Sequence, residues 1–269
     1  MLRDITLGQY YQADSIIHKL DPRVKLATTL IFIISLFVFD NIAGYAVAAV
    51  FLIIVIKLSK VPFKFMVRGM KAIVFLLLLT VICNLLLTPG EPLVTFWKLT
   101  ITKEGLRLAG LMAVRLSFLI IGSSVMTLTT TPNQLTDAME KMMGPLKKIK
   151  VPVHEIAMMM SIALRFIPIL LEETDKIMKA QIARGADFES GNLIKKAKSM
   201  VPLLVPLFIS AFRRANDLAM AMEARCYRGG EHRTKMKPLH YEHRDYIAYA
   251  IVACYFAAGI VAGKLVGML

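Results

Sequence analysis

The stretch LATTLIFIISLFVFDNIAGYAVAAVFLIIVI, residues 26–56, decides the fold, because it is apolar except at Asp40 and Asn41. As a single helix it would be about 46 Å long, against a membrane hydrocarbon core of about 30 Å. It would also hold Asp40 near the middle of the membrane, where a charge is costly. We therefore predict two spans, 24–39 and 42–57, joined by a turn at FDNIAG.

Three further apolar stretches predict additional spans at 70–88, 106–129 and 246–266. The composition agrees with a membrane protein, since 57% of the 269 residues are hydrophobic and the mean hydropathy is +0.60. A soluble domain is nearer to about 45–50% apolar. We therefore predict an all-α integral membrane protein with about five transmembrane helices.

Basic residues predict how these spans are oriented. The short connection 57–71 carries five lysines or arginines and no acid, and 131–245 carries 19 basic against 13 acidic residues. Basic residues collect on the cytoplasmic side of membrane proteins. The N-terminus, 57–71 and 131–245 are therefore predicted to be cytoplasmic. This rule also accounts for the net charge of +14, and no motif of a nucleic-acid-binding protein is present, so we predict no nucleic-acid partner.

The long stretch 131–245 predicts helices rather than a polar tail. It opens with Thr131 and Pro132, a combination typical of a helix start. Two segments then follow one plan, because 151–185 and 192–230 each begin apolar, become amphipathic and end at glycine. Whether their apolar halves enter the bilayer stays open, since they are short for spans. Three prolines are expected to kink or break these helices: Pro168, Pro202 and Pro206.

Both long helices are predicted to end in a related motif, AQIARGADF at 180–188 and AMEARCYRG at 221–229. Their arginines, Arg184 and Arg225, stand 41 positions apart (225 − 184). Four small residues flank them: Ala183, Gly185, Ala224 and Cys226. Small neighbours let another backbone come close, and arginine donates a planar fork of hydrogen bonds to carboxylates or carbonyls. The pattern fits either a tip that inserts into an acidic groove or an arginine that snorkels to lipid headgroups.

No catalytic or metal site is predicted. The three cysteines are widely spaced, and HEIAM at 154–158 lacks the second histidine of a zinc-protease motif. One charge, Arg115, lies within the predicted span 106–129 and is a functional candidate for that reason. We expect it to have a buried partner, for which a backbone carbonyl is a candidate.

Three stretches resemble the transmembrane T component of energy-coupling factor (ECF) transporters, which are bacterial importers of vitamins and metal ions. They are SIIHKLDPRVKL at 15–26, LRFIPILLEETDKIMKAQIARGAD at 164–187 and FRRANDLAMAMEARCYRGGEHRT at 212–234. The resemblance covers nearly the whole chain. It departs from the family pattern at Cys226, where a glycine is usual, and we expect the same packing there with less backbone freedom.

The resemblance implies that the chain is the coupling subunit of an ECF-type ABC importer and not itself an enzyme. In this family two ABC-type ATPase subunits hydrolyse ATP, and a separate S component, exchangeable in some systems, binds the vitamin or micronutrient. The absence of a GxxxxGK[ST] motif agrees that ATP is bound by a partner. The family pattern assigns ATPase docking to two tripeptides: Ala183-Arg184-Gly185 and Ala224-Arg225-Cys226.

The resemblance also implies a protein of the bacterial cell (plasma) membrane that consists of three regions. Residues 1–130 form an N-terminal membrane region of four spans, 131–245 a cytoplasmic helical coupling domain with two long coupling helices, and 246–269 a C-terminal transmembrane helix. Membrane lipid is the remaining partner, and no cofactor is expected. The alternative from the residues alone is a stand-alone secondary transporter, which would need binding charges at the midplane of the membrane.

Methionines predict a second contact surface. Ten of the 17 methionines lie between 139 and 222, and methionine suits surfaces that accept several partners. We expect a contact with the S component here, with ordinary filling of gaps in the core as the alternative. Five methionines are the candidates: Met142, Met143, Met158, Met159 and Met160.

Overall fold

The computed structural model describes residues 10–39, 41–96, 99–188, 192, 194, 198–230, 236 and 238–267, and most of them are α-helical. The α-helices that these residues form are α1 Pro22–Val38, α2 Ile42–Ser59, α3 Phe63–Leu87, α4 Lys103–Thr129, α5 Pro132–Met142, α6 Val153–Ala183, α7 Val201–Ala224 and α8 His243–Gly267. A 3₁₀ turn follows α5 at Gly144–Ile149. Between α3 and α4 lies a small antiparallel hairpin, β1 Pro92–Phe96 and β2 Leu99–Thr102.

The chain is an all-α membrane protein apart from this hairpin, and each predicted span corresponds to a helix. Among the described residues, four helical segments are long and apolar enough to cross a membrane: Ile42–Ser59, Lys103–Thr129, Val153–Ala183 and His243–Lys264. The first predicted span, α1, has 17 residues, and the apolar part of α3 is confined to Ile73–Leu86. The remaining qualifying segment is α6, which is not among the five predicted spans and for which the sequence leaves membrane entry open.

Local sequence signals mark where α1 and α5 begin. Asp21 caps α1, because its carboxylate accepts a hydrogen bond from the backbone N–H of Arg23 at 2.8 Å and Pro22 follows it. The predicted start of α5 is confirmed. Thr131 Oγ1 accepts from the N–H of Gln134 at 3.3 Å, and Gln134 Oε1 accepts from the N–H of Thr131 at 3.1 Å. This reciprocal pair is a capping box.

The prolines do not break the long helices, so that part of the expectation is wrong. α6 runs without interruption through Pro168, and Pro202 lies in the first turn of α7, where its missing N–H costs little. Pro206 lies further into α7 and cannot bond to the carbonyl of Pro202. That carbonyl instead accepts from the side-chain amide of Gln181 at 3.4 Å, so the lost backbone bond is partly replaced.

The chain forms two compact units. One consists of Gly8–Ala138 with Leu239–Leu269, and the other of Met139–Pro238 among the described residues. The core of the first unit is built where α1, α2, α4 and α8 meet. Its buried members are Phe32, Leu36, Phe39, Tyr45, Ala48, Leu52, Val61, Met66, Ile121, Val125, Leu128 and Tyr255. At its centre the rings of Phe51 and Tyr255 stack with centroids 4.3 Å apart.

Arg115 is held inside this first unit by a buried hydroxyl. Its Nε donates to Tyr45 Oη at 2.6 Å, and Tyr45 Oη donates in turn to the carbonyl of Leu36 at 3.1 Å. The guanidinium also lies 5.4 Å from the ring centroid of Phe37. The expected buried partner therefore exists, and it links α4 to α1 and α2.

Candidate functional site

The second unit is built around α6 and α7, which pack side by side in opposite directions. The end of α6 meets the start of α7, where Gln181 bonds to Pro202. Midway, Glu173 of α6 accepts hydrogen bonds from Ser210 and Arg214 of α7. The first half of α6 and the end of α7 line a common cavity. The two long helices thus place their arginine ends at opposite ends of the pair.

The first arginine motif closes α6 in a defined turn. Arg184 is the C-cap, and Gly185 follows with a left-handed backbone, φ +88°. The N–H of Gly185 donates to the carbonyl of Ile182, and the N–H of Ala186 donates to that of Gln181, both at 2.9 Å. These two bonds define a Schellman motif, for which glycine is the preferred left-handed residue. The predicted stop at Gly185 is confirmed.

The second motif closes α7 in the same way, although a cysteine replaces the glycine. Arg225 is the C-cap and Cys226 is left-handed, with φ +54°. The N–H of Cys226 donates to Glu223 at 2.8 Å, and the N–H of Tyr227 donates to Met222 at 3.0 Å. The expectation that this helix continues to the glycines at 229–230 is wrong. It ends at Ala224 because the left-handed turn occurs at Cys226, three residues before the first of those glycines.

All six residues of the two tripeptides are exposed. Within the part of the chain that the structure describes, neither the Arg184 nor the Arg225 guanidinium has a hydrogen bond or an ion pair. Each arginine therefore lies at a helix C-terminus, where its positive charge is favourable, with its donors available to another molecule. The structure does not bring the two tripeptides together.

The second tip differs from the first in that it borders a cavity of about 680 Å³. Arg225 and Arg228 contribute from the α7 side, and Arg165 contributes from α6. Among the described residues, the lining contains no aspartate or glutamate. Its apolar part is supplied by Met158 and Phe166, among others. An acidic side chain with an aliphatic stem fits this combination of charge and apolar surface.

The candidate methionines lie on different elements and differ in exposure. Met142 ends α5, and Met143 lies between it and the 3₁₀ turn. In α6, Met159 is 59% exposed and Met160 is also exposed, whereas Met158 lines the cavity beside Arg225. Met158 therefore lies with the second arginine tip, and Met159 is the member most available to another protein.

Sequence reasoning missed two sets of residues. Arg165 and Arg228 join Arg225 at the cavity, which requires knowing that α6 and α7 pack in opposite directions. Glu173 and Arg214 pair across the two helices, with Arg214 Nη2 2.7 Å from Glu173 Oε2. A sequence signal for this pair existed, because its members stand 41 positions apart, the same offset as the two arginine tips.

Comparison with known proteins agrees with this arrangement. The family model described as Cobalt transport protein (CbiQ) matches residues 13–236. A protein of Clostridium kluyveri named "Energy-coupling factor transporter transmembrane protein EcfT" is 59% identical over 250 residues, which are 92% of this chain and 93% of the relative. This chain belongs to the family of energy-coupling factor transporter transmembrane proteins.

Other members of the family are nearly as similar. The protein of the same name from Thermosediminibacter oceani is 53% identical over 97% of this chain and 96% of its own length. The Bacillus subtilis protein of that name is 47% identical over 91% of this chain and 93% of its own length. The similarity extends over both compact units, so the family assignment applies to the membrane helices and to the two arginine-tipped helices alike.

Proposed function

We propose that this chain is the coupling subunit of an ECF-type ABC importer. Two ABC-type ATPase subunits hydrolyse ATP, an S component binds a vitamin or micronutrient, and this chain transmits motion from the first to the second. Arg184 docks on one ATPase and Arg225 on the other. The observation that carries the proposal is the pair of exposed, Schellman-closed arginine tips at opposite ends of two packed helices.

The form of the tips supports docking into a partner. A Schellman turn satisfies the last carbonyls of each helix internally, so the tip can enter a groove without leaving backbone groups unpaired. Ala183 and Ala224, which precede the two arginines, add little bulk. An arginine buried between an acidic groove and the negative end of its own helix forms charge-assisted bonds.

The orientation follows from charge. Residues 131–245 hold 19 basic and 13 acidic residues, and the short connection 57–71 is wholly basic among its charged residues. We place both on the cytoplasmic side of the bacterial cell membrane, where ATP is available. The regions 1–130 and 246–269 then form the membrane part, and 131–245 forms the coupling domain.

The S component contacts exposed methionines in this proposal. Met159 and Met160 lie on α6, and Met142 lies at the end of α5, all accessible to another chain. Methionine adapts to surfaces of different shape, so one such surface serves several S components. Met158 and Met143 are less exposed and complete the set of candidate contacts.

The decisive experiment replaces both arginines. Arg184→Ala with Arg225→Ala removes the charge-assisted contacts, and each loss weakens ATPase binding by about 2–5 kcal/mol. Purified ATPase subunits titrated onto the full chain in lipid nanodiscs measure the affinity, and uptake in cells measures the function. We expect the double variant to insert normally into the membrane, to lose the ATPases on purification and to lose uptake.

Matched control variants lie on the same helices. Lys179→Ala and Arg213→Ala each remove an exposed positive charge short of the tips, and both should leave ATPase binding unchanged. Unaltered uptake by the Arg184→Ala/Arg225→Ala variant would contradict the assignment. Substrate uptake by the isolated chain in vesicles, driven by an ion gradient without ATPases, would instead support the secondary transporter.

A further inference from the structure

The two long helices are pinned together midway along their length by an ion pair. Glu173 of α6 accepts from Ser210 Oγ through Oε1 and from Arg214 Nη2, 2.7 Å away, through Oε2. The side chains are only partly accessible, Glu173 being 23% and Arg214 39% exposed. In the described part of the chain, this is the salt bridge that joins α6 to α7.

The position of this contact matches the arginine repeat. Glu173 lies 11 residues before Arg184 (184 − 173), and Arg214 lies 11 residues before Arg225 (225 − 214). Eleven residues make about three helical turns, so each pinning residue lies near the same helix face as its arginine. At 1.5 Å per residue, both tips lie about 16 Å along their helix from the contact. The two arms beyond the pin are therefore equal in length.

A second pair of positions follows the same repeat. Gln181 meets Pro202 at one end of the helix pair. Shifted by 41 positions, these residues correspond to Met222 (181 + 41) and Ser161 (202 − 41). Met222 and Ser161 line the same cavity at the other end. The two helices are thus related by an approximate two-fold axis, and Glu173 and Arg214 meet where that axis passes between them.

Charge explains how two related helices can meet on their own symmetry axis. Residues that are equivalent in the repeat face each other there, and identical charged residues would repel. The repeat avoids this, because Glu172-Glu173 in α6 corresponds to Arg213-Arg214 in α7. Opposite charges at equivalent positions turn the axis into an attraction that also sets the register of the two helices.

We infer that the Glu173–Ser210–Arg214 contact is the pivot of the coupling helices, a positioning device that keeps the two arginine tips at equal reach for a pair of ATPases. The mechanical role of this contact rests on the proposed function. The pinning of the two helices rests on geometry alone. Since a partly exposed ion pair contributes little to stability, removing it should leave the chain folded while freeing the angle between the helices.

The first test measures the spread of the helices in the full chain. Spin labels are attached at Lys179→Cys and Met220→Cys, which are exposed, equivalent in the repeat and outside the docking tripeptides. The native cysteines are first replaced. Pulsed electron resonance should give a narrow distance distribution, which Glu173→Gln broadens and shifts. Reversal of both charges, Glu173→Arg with Arg214→Glu, should narrow it again.

The matched control uses the neighbouring residues of the same charge. The control variants are Glu172→Gln and Arg213→Gln. Both native residues are exposed, and neither forms a hydrogen bond or ion pair among the described residues. Both should leave the distribution unchanged. The pivot would be overturned if Glu173→Gln left the distance distribution unchanged. It would also be overturned if the charge reversal did not restore the narrow distribution.

The second test measures coupling in the complex. With Glu173→Gln, the ATPases should still co-purify and hydrolyse ATP, whereas substrate transported per ATP should fall several-fold and recover with the charge reversal. An unchanged ratio would overturn the mechanical role of the pivot. Failure of the native chain to bind ATPases would refute the proposed function instead, while the distance measurement would still decide the pinning.

Discussion

The cysteine at the second helix tip provides a sharp test of how the tips are built. Cys226 has a left-handed backbone, φ +54°, at a position where the first tip has Gly185 with φ +88°. A non-glycine residue in this region costs about 1–2 kcal/mol. Glycine gains more freedom in the unfolded chain, which offsets about 0.4–1 kcal/mol. Cys226→Gly should therefore stabilise the end of α7 by about 0.5–1 kcal/mol.

The reverse change at the first tip should have the opposite effect. A Cβ on Gly185 would meet no other atom within 4 Å, so Gly185→Ala isolates the backbone cost from any clash. We expect it to destabilise the end of α6 by a similar amount, about 0.5–1 kcal/mol. Cys226→Ala is the control, because it removes the thiol but keeps a Cβ in the left-handed turn, and its effect should be near zero.

Hydrogen exchange is the appropriate measurement, because a helix end opens locally and not with the whole protein. The reporters are the N–H groups of Ala186 and Tyr227, which form the outer bonds of the two turns. A change of about 0.5–1 kcal/mol alters their protection by a factor of about 2–5. Equal protection of the Tyr227 N–H in the native chain and in Cys226→Gly would refute the reasoning. Unchanged protection of the Ala186 N–H in Gly185→Ala would refute it as well.

Two further predictions concern the other compact unit. A Cβ on Gly259 would clash with the ring of Phe39, whereas one on Gly263 would meet nothing closer than 3.9 Å. In thermal unfolding, Gly259→Ala should therefore cost about 1–3 kcal/mol and Gly263→Ala little; equal costs would contradict this packing. Burial lowers the pKa of His18, so folding favours the neutral ring. The stability of the fold should therefore be complete above the ordinary pKa of about 6.5. It should fall as the pH drops through the lower folded-state pKa. Denaturation at several pH values should show that His18→Gln removes this acid sensitivity, and an unchanged pH profile would exclude His18 as its source.

Much of the molecule could be predicted from local sequence. Long apolar runs, of about 20 residues, predict membrane-spanning helices. Each predicted span is a helix in the structure. The helix start at Thr131 and Pro132 and the stop at Gly185 are predictable from sequence, because a cap depends on residues within one turn of the helix end. The end of α7 was misread, since a cysteine rarely takes the left-handed turn and the following glycines offered a better signal.

What the sequence determined by itself is therefore the membrane class, the helices and the two arginine motifs, because each depends on periodicity or on neighbours in the chain. Only the tertiary structure decided which distant residues meet. It paired Arg115 with the hydroxyl of Tyr45 and Glu173 with Arg214, although many polar groups could have served either partner. The physical reason is that such contacts depend on the direction and register in which helices pack, which composition and periodicity leave open.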